Sequence, residues 1–156
     1  MPAEHTYEVA VRWTGNLGTG TSTYRAYSRN HEVSAADRPV LLGSSEPSFR
    51  GDPRRWSPED LLVAALAQCH LLWYLHLASV AGVVVTAYTD TPLGTMVLEP
   101  DGGGYFTRVL LRPVVTVQEA SMLDPALAVH HEANAKCFLA RSMNFPVVHE
   151  PSAIVE

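Results

Sequence analysis

Two residues here have thiol chemistry available to them. Cys69 lies inside an almost wholly apolar run from Leu61 to Ala81, and Cys137 follows the His-rich stretch from His130 to Lys136. A lone pair is too few for the disulfide framework of a small secreted domain, and no C-x-x-C or zinc-knuckle spacing of Cys and His occurs. Three states stay open: inert core thiols, one reactive thiol, or two thiols that meet only in the folded chain. Reactivity requires Cys69 as thiolate, its pKa brought below the free value of about 8.5 by a cation, with a second thiol near enough to resolve an oxidised sulfur. Arginine suits because it stays charged. Arg50, Arg54 and Arg55 stand just upstream, between Phe49 and Trp56.

The histidines offer a second chemistry. His70 and His76 fall on different helical faces, and the adjacent His130 and His131 cannot both point inward. With no H-x-x-x-H pair and no ligand quartet, neither a metal site nor any cofactor is expected. His70 or His131 beside a thiol would tune its pKa.

The elements that must position these groups read as follows. His5 to Thr14 alternates in polarity as a half-buried strand does. The glycines between Gly15 and Gly20 form a turn into a second β-rich run, Thr21 to Ser28, rather than the nucleotide loop that a following helix would signal. Residues 34–56 are a polar connection. Ser57 is placed to cap a helix with Pro58 at its first position, Glu59 and Asp60 in its first turn and Gly82 as its stop. A meander follows, from Val83 to Thr89, through Gly94 to Leu98 and the Asp101–Gly104 turn, to Tyr105–Val117. Asp124-Pro125 is expected to open a helix to about Ala135, with a further turn to about Met143 and a last strand over Val147–Val155.

Composition narrows the function. With 47% apolar residues among 156, the chain builds a real core, and one domain over 1–156 is expected. Eleven Lys and Arg scattered among sixteen acids give a net charge of −5, which argues against nucleic acid as a partner. The N-terminus lacks a signal-peptide pattern, so a cytoplasmic, reducing setting is expected. Leu61–Val85 is long enough to cross a bilayer, but Gln68, His70, His76 and Ser79 interrupt it and a core helix covered on most sides is the better reading; no membrane is expected.

The segment Ser57-Pro-Glu-Asp-Leu-Leu-Val-Ala-Ala-Leu-Ala-Gln-Cys69 resembles the N-P-E-E-L-L-x-A-A-x-x-x-C helix of the OsmC/Ohr family, the osmotically induced and organic-hydroperoxide-resistance proteins. Cys137, after its own helix, stands where that family has a second cysteine. The resemblance implies an α+β fold in two lobes, antiparallel sheets around a long buried central helix, working as an intertwined homodimer. It implies reduction of organic or hydrogen peroxides, with Cys69 peroxidatic, Cys137 resolving and an external dithiol as reductant. Glu59 matches the glutamate that orients an arginine over the sulfur; Arg50 is the best match for that arginine, with Arg54 and Arg55 in play. Phe138 departs from the proline common after the resolving cysteine, and His70 from the apolar or aromatic residue usual after the peroxidatic one.

Leu66, Leu72, Trp73 and Tyr74 are expected as apolar walls for an alkyl hydroperoxide. Glu59 and Cys69, ten residues apart, lie about 15 Å apart along a helix and roughly 80° out of phase, so they cannot touch within one straight helix. A long arginine or a two-fold-related helix has to bridge them, which places the site at or near a subunit interface. Two other readings compete: a non-catalytic dimeric module binding a small hydrophobic ligand, and a redox sensor or metal-binding protein using the Cys/His set.

Overall fold

The long helix starts where Ser57 exchanges hydrogen bonds with Asp60. In a computed structural model describing all 156 residues, the Asp60 amide donates to Ser57 Oγ at 3.1 Å and the Ser57 amide donates to the Asp60 carboxylate at 3.2 Å. This is a capping box with aspartate as the returning acid. The helix, α1, runs Pro58–Val80. Gly82, at φ +74°, ends it: its amide donates to the Ser79 carbonyl and the Val83 amide to that of Ala78, the two bonds of a Schellman stop. The chain forms two compact units, Met1–Leu61 and Leu62–Glu156.

In the first unit, β1 (Ala10–Trp13), β2 (His31–Ser34) and β3 (Leu41–Gly43) make an antiparallel sheet in that order. The strand expected over His5–Thr14 is therefore only its C-terminal part. The β-rich run Thr21–Ser28 is not a strand: it folds as turns, because Arg29 reaches back to the carbonyls of Tyr24 and Tyr27, both at 2.7 Å, and lies over both rings. β2 forms after it. The polar connection 34–56 contains β3 and a 3-10 turn, Pro47–Phe49.

In the second unit the expected meander is a long antiparallel ribbon. β4 (Val85–Asp90) and β5 (Leu93–Leu98) run out, then β6 (Gly104–Leu111) and β7 (Pro113–Val117) run back, pairing β5 with β6 and β4 with β7. Asp90 faces Pro113 and Leu93 faces Leu110, so the register passes unbroken across the interruption. Pro92 and Pro113 lack the amides a continuous ladder needs. Arg112 stitches the break, its amide donating to Asp90 Oδ1 at 2.8 Å and its Nε to the Thr91 carbonyl at 2.7 Å. The last strand breaks in the same place, at Pro151: β8 (Val147–His149) runs parallel to β6 and β9 (Ser152–Val155) parallel to β7.

Between β7 and β8 lies α2 (Leu123–Lys136). Asp124 is not its cap. A 3-10 turn, Ala120–Met122, feeds directly into the helix, so no extended residue precedes it and Asp124 sits inside the first turn. The 3-10 turn Ala140–Ser142 provides the expected further turn.

α1 packs through one ridge, Leu66, His70, Tyr74 and Ala78, at i, i+4 spacing. Leu66 joins Val109 and Leu111 in one apolar cluster, while Tyr74 and Ala78 join Val115, Val117, Ala126 and Ala133 in another. Gly94 lets β5 approach the helix, since a Cβ there would lie 2.5 Å from Val63. The other faces stay open in the single chain, with Leu72 67% and Val80 73% exposed.

Candidate active site

Cys69 and Cys137 meet in the second unit. Cys69 is half-buried one position before the buried ridge of α1, and Cys137, 1% exposed, ends the ridge Ala126, His130, Ala133 of α2. Both thiols are free. Burial pushes the Cys137 thiol up to about 11, and the hydrogen-bonding side chain of Cys69 adds to the rise; the amide of Ala140, which donates to Cys137 Sγ at 3.4 Å, opposes it. Cys137 is thus held as a neutral thiol beside Cys69.

Cys69 opens onto a cleft of about 300 Å³ lined by Leu72, Trp73, His76 and Phe138. Phe138 stands edge-on to Trp73 with ring centres 5.5 Å apart, and the Lys136 ammonium lies 5.7 Å from the same indole. Leu72 and Trp73 therefore stand where apolar walls were expected. Leu66 and Tyr74 do not: both are fully buried, Leu66 with Val109 and Leu111 and Tyr74 with Val115 and Ala126, because each stands four residues from His70 on the core ridge and not on the open face. His76 and Phe138 were not expected as walls. Phe138 was legible only as a departure from proline, and His76 follows Leu72 by one turn on the same face.

Arg50 and Glu59 belong to the first unit. Arg50 is exposed, with left-handed backbone at φ +65° and its guanidinium 6.0 Å from the Tyr24 ring. Arg54 and Arg55 both pair with Asp52, at 3.2 and 3.9 Å, and Arg55 also donates to the His31 carbonyl. Of the three arginines only Arg50 has no carboxylate partner. Glu59 is half-buried in the first turn of α1 and forms no ion pair with Arg50.

Of the adjacent histidines, His130 points inward and His131 outward. His70 faces His130 across the helix pair, Nε2 to Nδ1 at 2.9 Å. His149, at the end of β8, lies beside both, its ring centre 5.7 Å from His70 and 6.1 Å from His130. Burial lowers all three, His70 to about 4 and His130 to about 3. No three His, Cys, Asp or Glu side chains are grouped as a metal site. The signal in sequence was His70 at i, i+4 between Leu66 and Tyr74.

A long capped helix ending its motif on a half-buried thiol, a second thiol behind it and an α+β scaffold with antiparallel ribbons define the protein's class. Residues 51–152 match the OsmC-like protein family, and the chain belongs to that family. Among solved structures it is similar to an OsmC-like protein of unknown function from Vibrio cholerae, at 29% identity and TM-score 0.83 over 95% of this chain and 99% of that one. It shares the fold of an organic hydroperoxide resistance protein OsmC from Legionella pneumophila (19% identity, TM-score 0.68, 97% and 99% covered). The same holds for the organic hydroperoxide resistance protein of Bacillus subtilis (15% identity, TM-score 0.62, 96% and 98% covered). No curated protein matches the chain.

Proposed function

We propose that this protein is a cysteine-based hydroperoxide reductase acting in oxidative-stress defence. The observation that carries the reading is the pairing of two free thiols in one unit, one opening on an apolar cleft and the other buried behind it. The Cys69 thiolate attacks the distal peroxide oxygen, the O–O bond breaks, and the alcohol or water leaves after taking a proton; the sulfur becomes a sulfenic acid. The Cys137 thiol then attacks that sulfur. The S–O bond breaks, the hydroxide leaves as water with the Cys137 proton, and an intramolecular disulfide remains. An external dithiol reduces it and is itself oxidised.

The cleft suits an alkyl chain, with Leu72, Trp73 and Phe138 as its walls. We assign Arg50 to hold the thiolate and Glu59 to orient that arginine. In support, Arg54 and Arg55 are already committed to Asp52. The working species is a homodimer, in support of which α1 leaves Leu72, Leu75 and Val80 uncovered in one chain.

One equivalent of cumene hydroperoxide or hydrogen peroxide is expected to consume two thiols in the wild type and none in Cys69→Ser. Cys137→Ser should stop at a sulfenic acid that dimedone traps. Two thiols that survive peroxide untouched would leave a non-catalytic binding module. Peroxide consumption is expected to slow at least about tenfold in Arg50→Ala and to change little in Arg54→Ala; equal rates in both would refute the arginine assignment.

A further inference from the structure

Three of the contacts between α1 and the segment from α2 to Cys137 are ordered. The Tyr74 hydroxyl donates to the Ala126 carbonyl at 2.9 Å, His70 meets His130, and Cys69 meets Cys137. Residue numbers fall along α1 as they rise from Ala126 to Cys137, so the two segments run in opposite senses, and the thiol pair comes last, where the chain leaves α2. The middle rung is unusual. Both imidazoles are fully buried, at the seam between the two apolar clusters, where most helix pairs would place aliphatic side chains.

The geometry shows what kind of contact it is. The two ring planes differ by 4°, and the centres are 5.2 Å apart, which is the 2.9 Å nitrogen separation plus the two ring radii. The rings thus lie edge to edge in one plane with the nitrogens in line. One N–H donates straight into the other ring's lone pair. Metal ligands would instead aim both nitrogens at a third point. The face of His130 is clamped by Tyr74, ring centres 4.1 Å apart and planes at 19°. The outer nitrogens, His70 Nδ1 and His130 Nε2, have no partner.

We propose that the His70–His130 hydrogen bond is the pin that sets the register of α2 against α1 and thereby holds the Cys137 thiol on Cys69. An apolar pair would stabilise the contact at many neighbouring registers, whereas an in-line N–H to N bond between buried rings is satisfied at one. His70 and His130 are positioning residues and act on the thiols through the helices. The pin needs a single proton between the facing nitrogens; a second would set two donors against each other. The titratable groups around it are Tyr74 on α1, His131 on α2, His149 on β8, and Tyr88 with Asp90 on β4 behind Tyr74. Asp90, the one carboxylate among them, accepts from the Arg112 amide and bonds neither ring, and burial keeps both imidazoles neutral.

The proposal rests on Cys69 and Cys137 acting as partner thiols, and its test avoids peroxide. The full-length protein is equilibrated with glutathione and its disulfide. Two protein thiols give up two electrons and two protons, and one glutathione disulfide becomes two glutathiones. The glutathione ratio at half-oxidation reports how well the thiols are held together. His130→Leu is expected to lower that effective concentration by at least about tenfold. His70→Gln and His130→Asn, which keep a hydrogen-bonding group near the replaced nitrogen, should stay within about threefold of the wild type. Histidine-labelled ¹⁵N NMR should show one bridging proton and a nitrogen–nitrogen coupling across it, lost in each variant. Absence of that coupling in the wild type, or a His130→Leu protein oxidised as readily as the wild type, overturns the pin. A wild type that forms the disulfide with glutathione but ignores cumene hydroperoxide would sink the reductase alone.

Discussion

Cys137, just past the end of α2, and His130, seven residues earlier on its buried ridge, have pKa values that burial drives in opposite directions toward the same end. The thiol rises and the imidazole falls, so both are neutral at pH 7. The histidine shift has a sign in stability. Above pH 6.5 the rings are neutral folded and unfolded alike. As pH falls through 6.5 toward about 4 and 3, the unfolded chain takes up protons that the folded chain refuses, and stability is lost over that window. Asp90 works the other way, because burial raises its pKa and the folded chain is protonated first. The urea midpoint is expected to drop between pH 7 and 4.5, with a shallower drop in the His70→Gln, His130→Asn double variant; identical slopes would remove these two histidines as the cause. Tyr74→Phe should cost about 1 kcal/mol through the lost bond to Ala126, read from the same midpoints.

At the scale of elements, α1 is specified at both ends by local chemistry. Ser57→Ala removes one half of the capping box and is expected to lower stability by about 1 kcal/mol, measured by urea denaturation. Gly82→Ala forces a Cβ onto a left-handed backbone and should cost roughly 1–2 kcal/mol. Equal stability in either variant would mean that tertiary packing, not the cap, ends the helix there. The ribbon is specified differently. Pro92, Pro113 and Pro151 interrupt three strands along one line, and only their pairing shows that the three interruptions coincide.

At the scale of the whole molecule, the open face of α1 leads to a prediction about assembly. Leu72, Leu75 and Val80 remain exposed on a helix that is apolar nearly all round, a surface that a lone chain leaves open to water. Light scattering is expected to give twice the 17.0 kDa chain mass, and Val80→Glu should shift the equilibrium toward monomer. A wild type that scatters as a monomer at micromolar concentration, with full peroxide turnover, would count against the dimer and against a site near its interface.

The sequence by itself determined the cap, Pro58 and stop of α1, the turn at Asp101–Gly104, that His130 and His131 cannot both point inward, and the family motif ending on Cys69, whereas the structure chose His130 as the inward one. These are properties of neighbours within a few residues, where local backbone chemistry decides. The tertiary structure alone decided that Thr21–Ser28 turns under Arg29, that β8 and β9 join as parallel strands, that Leu66 is core while Phe138 lines the cleft, and that His70 finds His130 sixty residues away. Each of those depends on which distant surface a side chain is packed against, and burial partners leave no periodicity in the chain that supplies them.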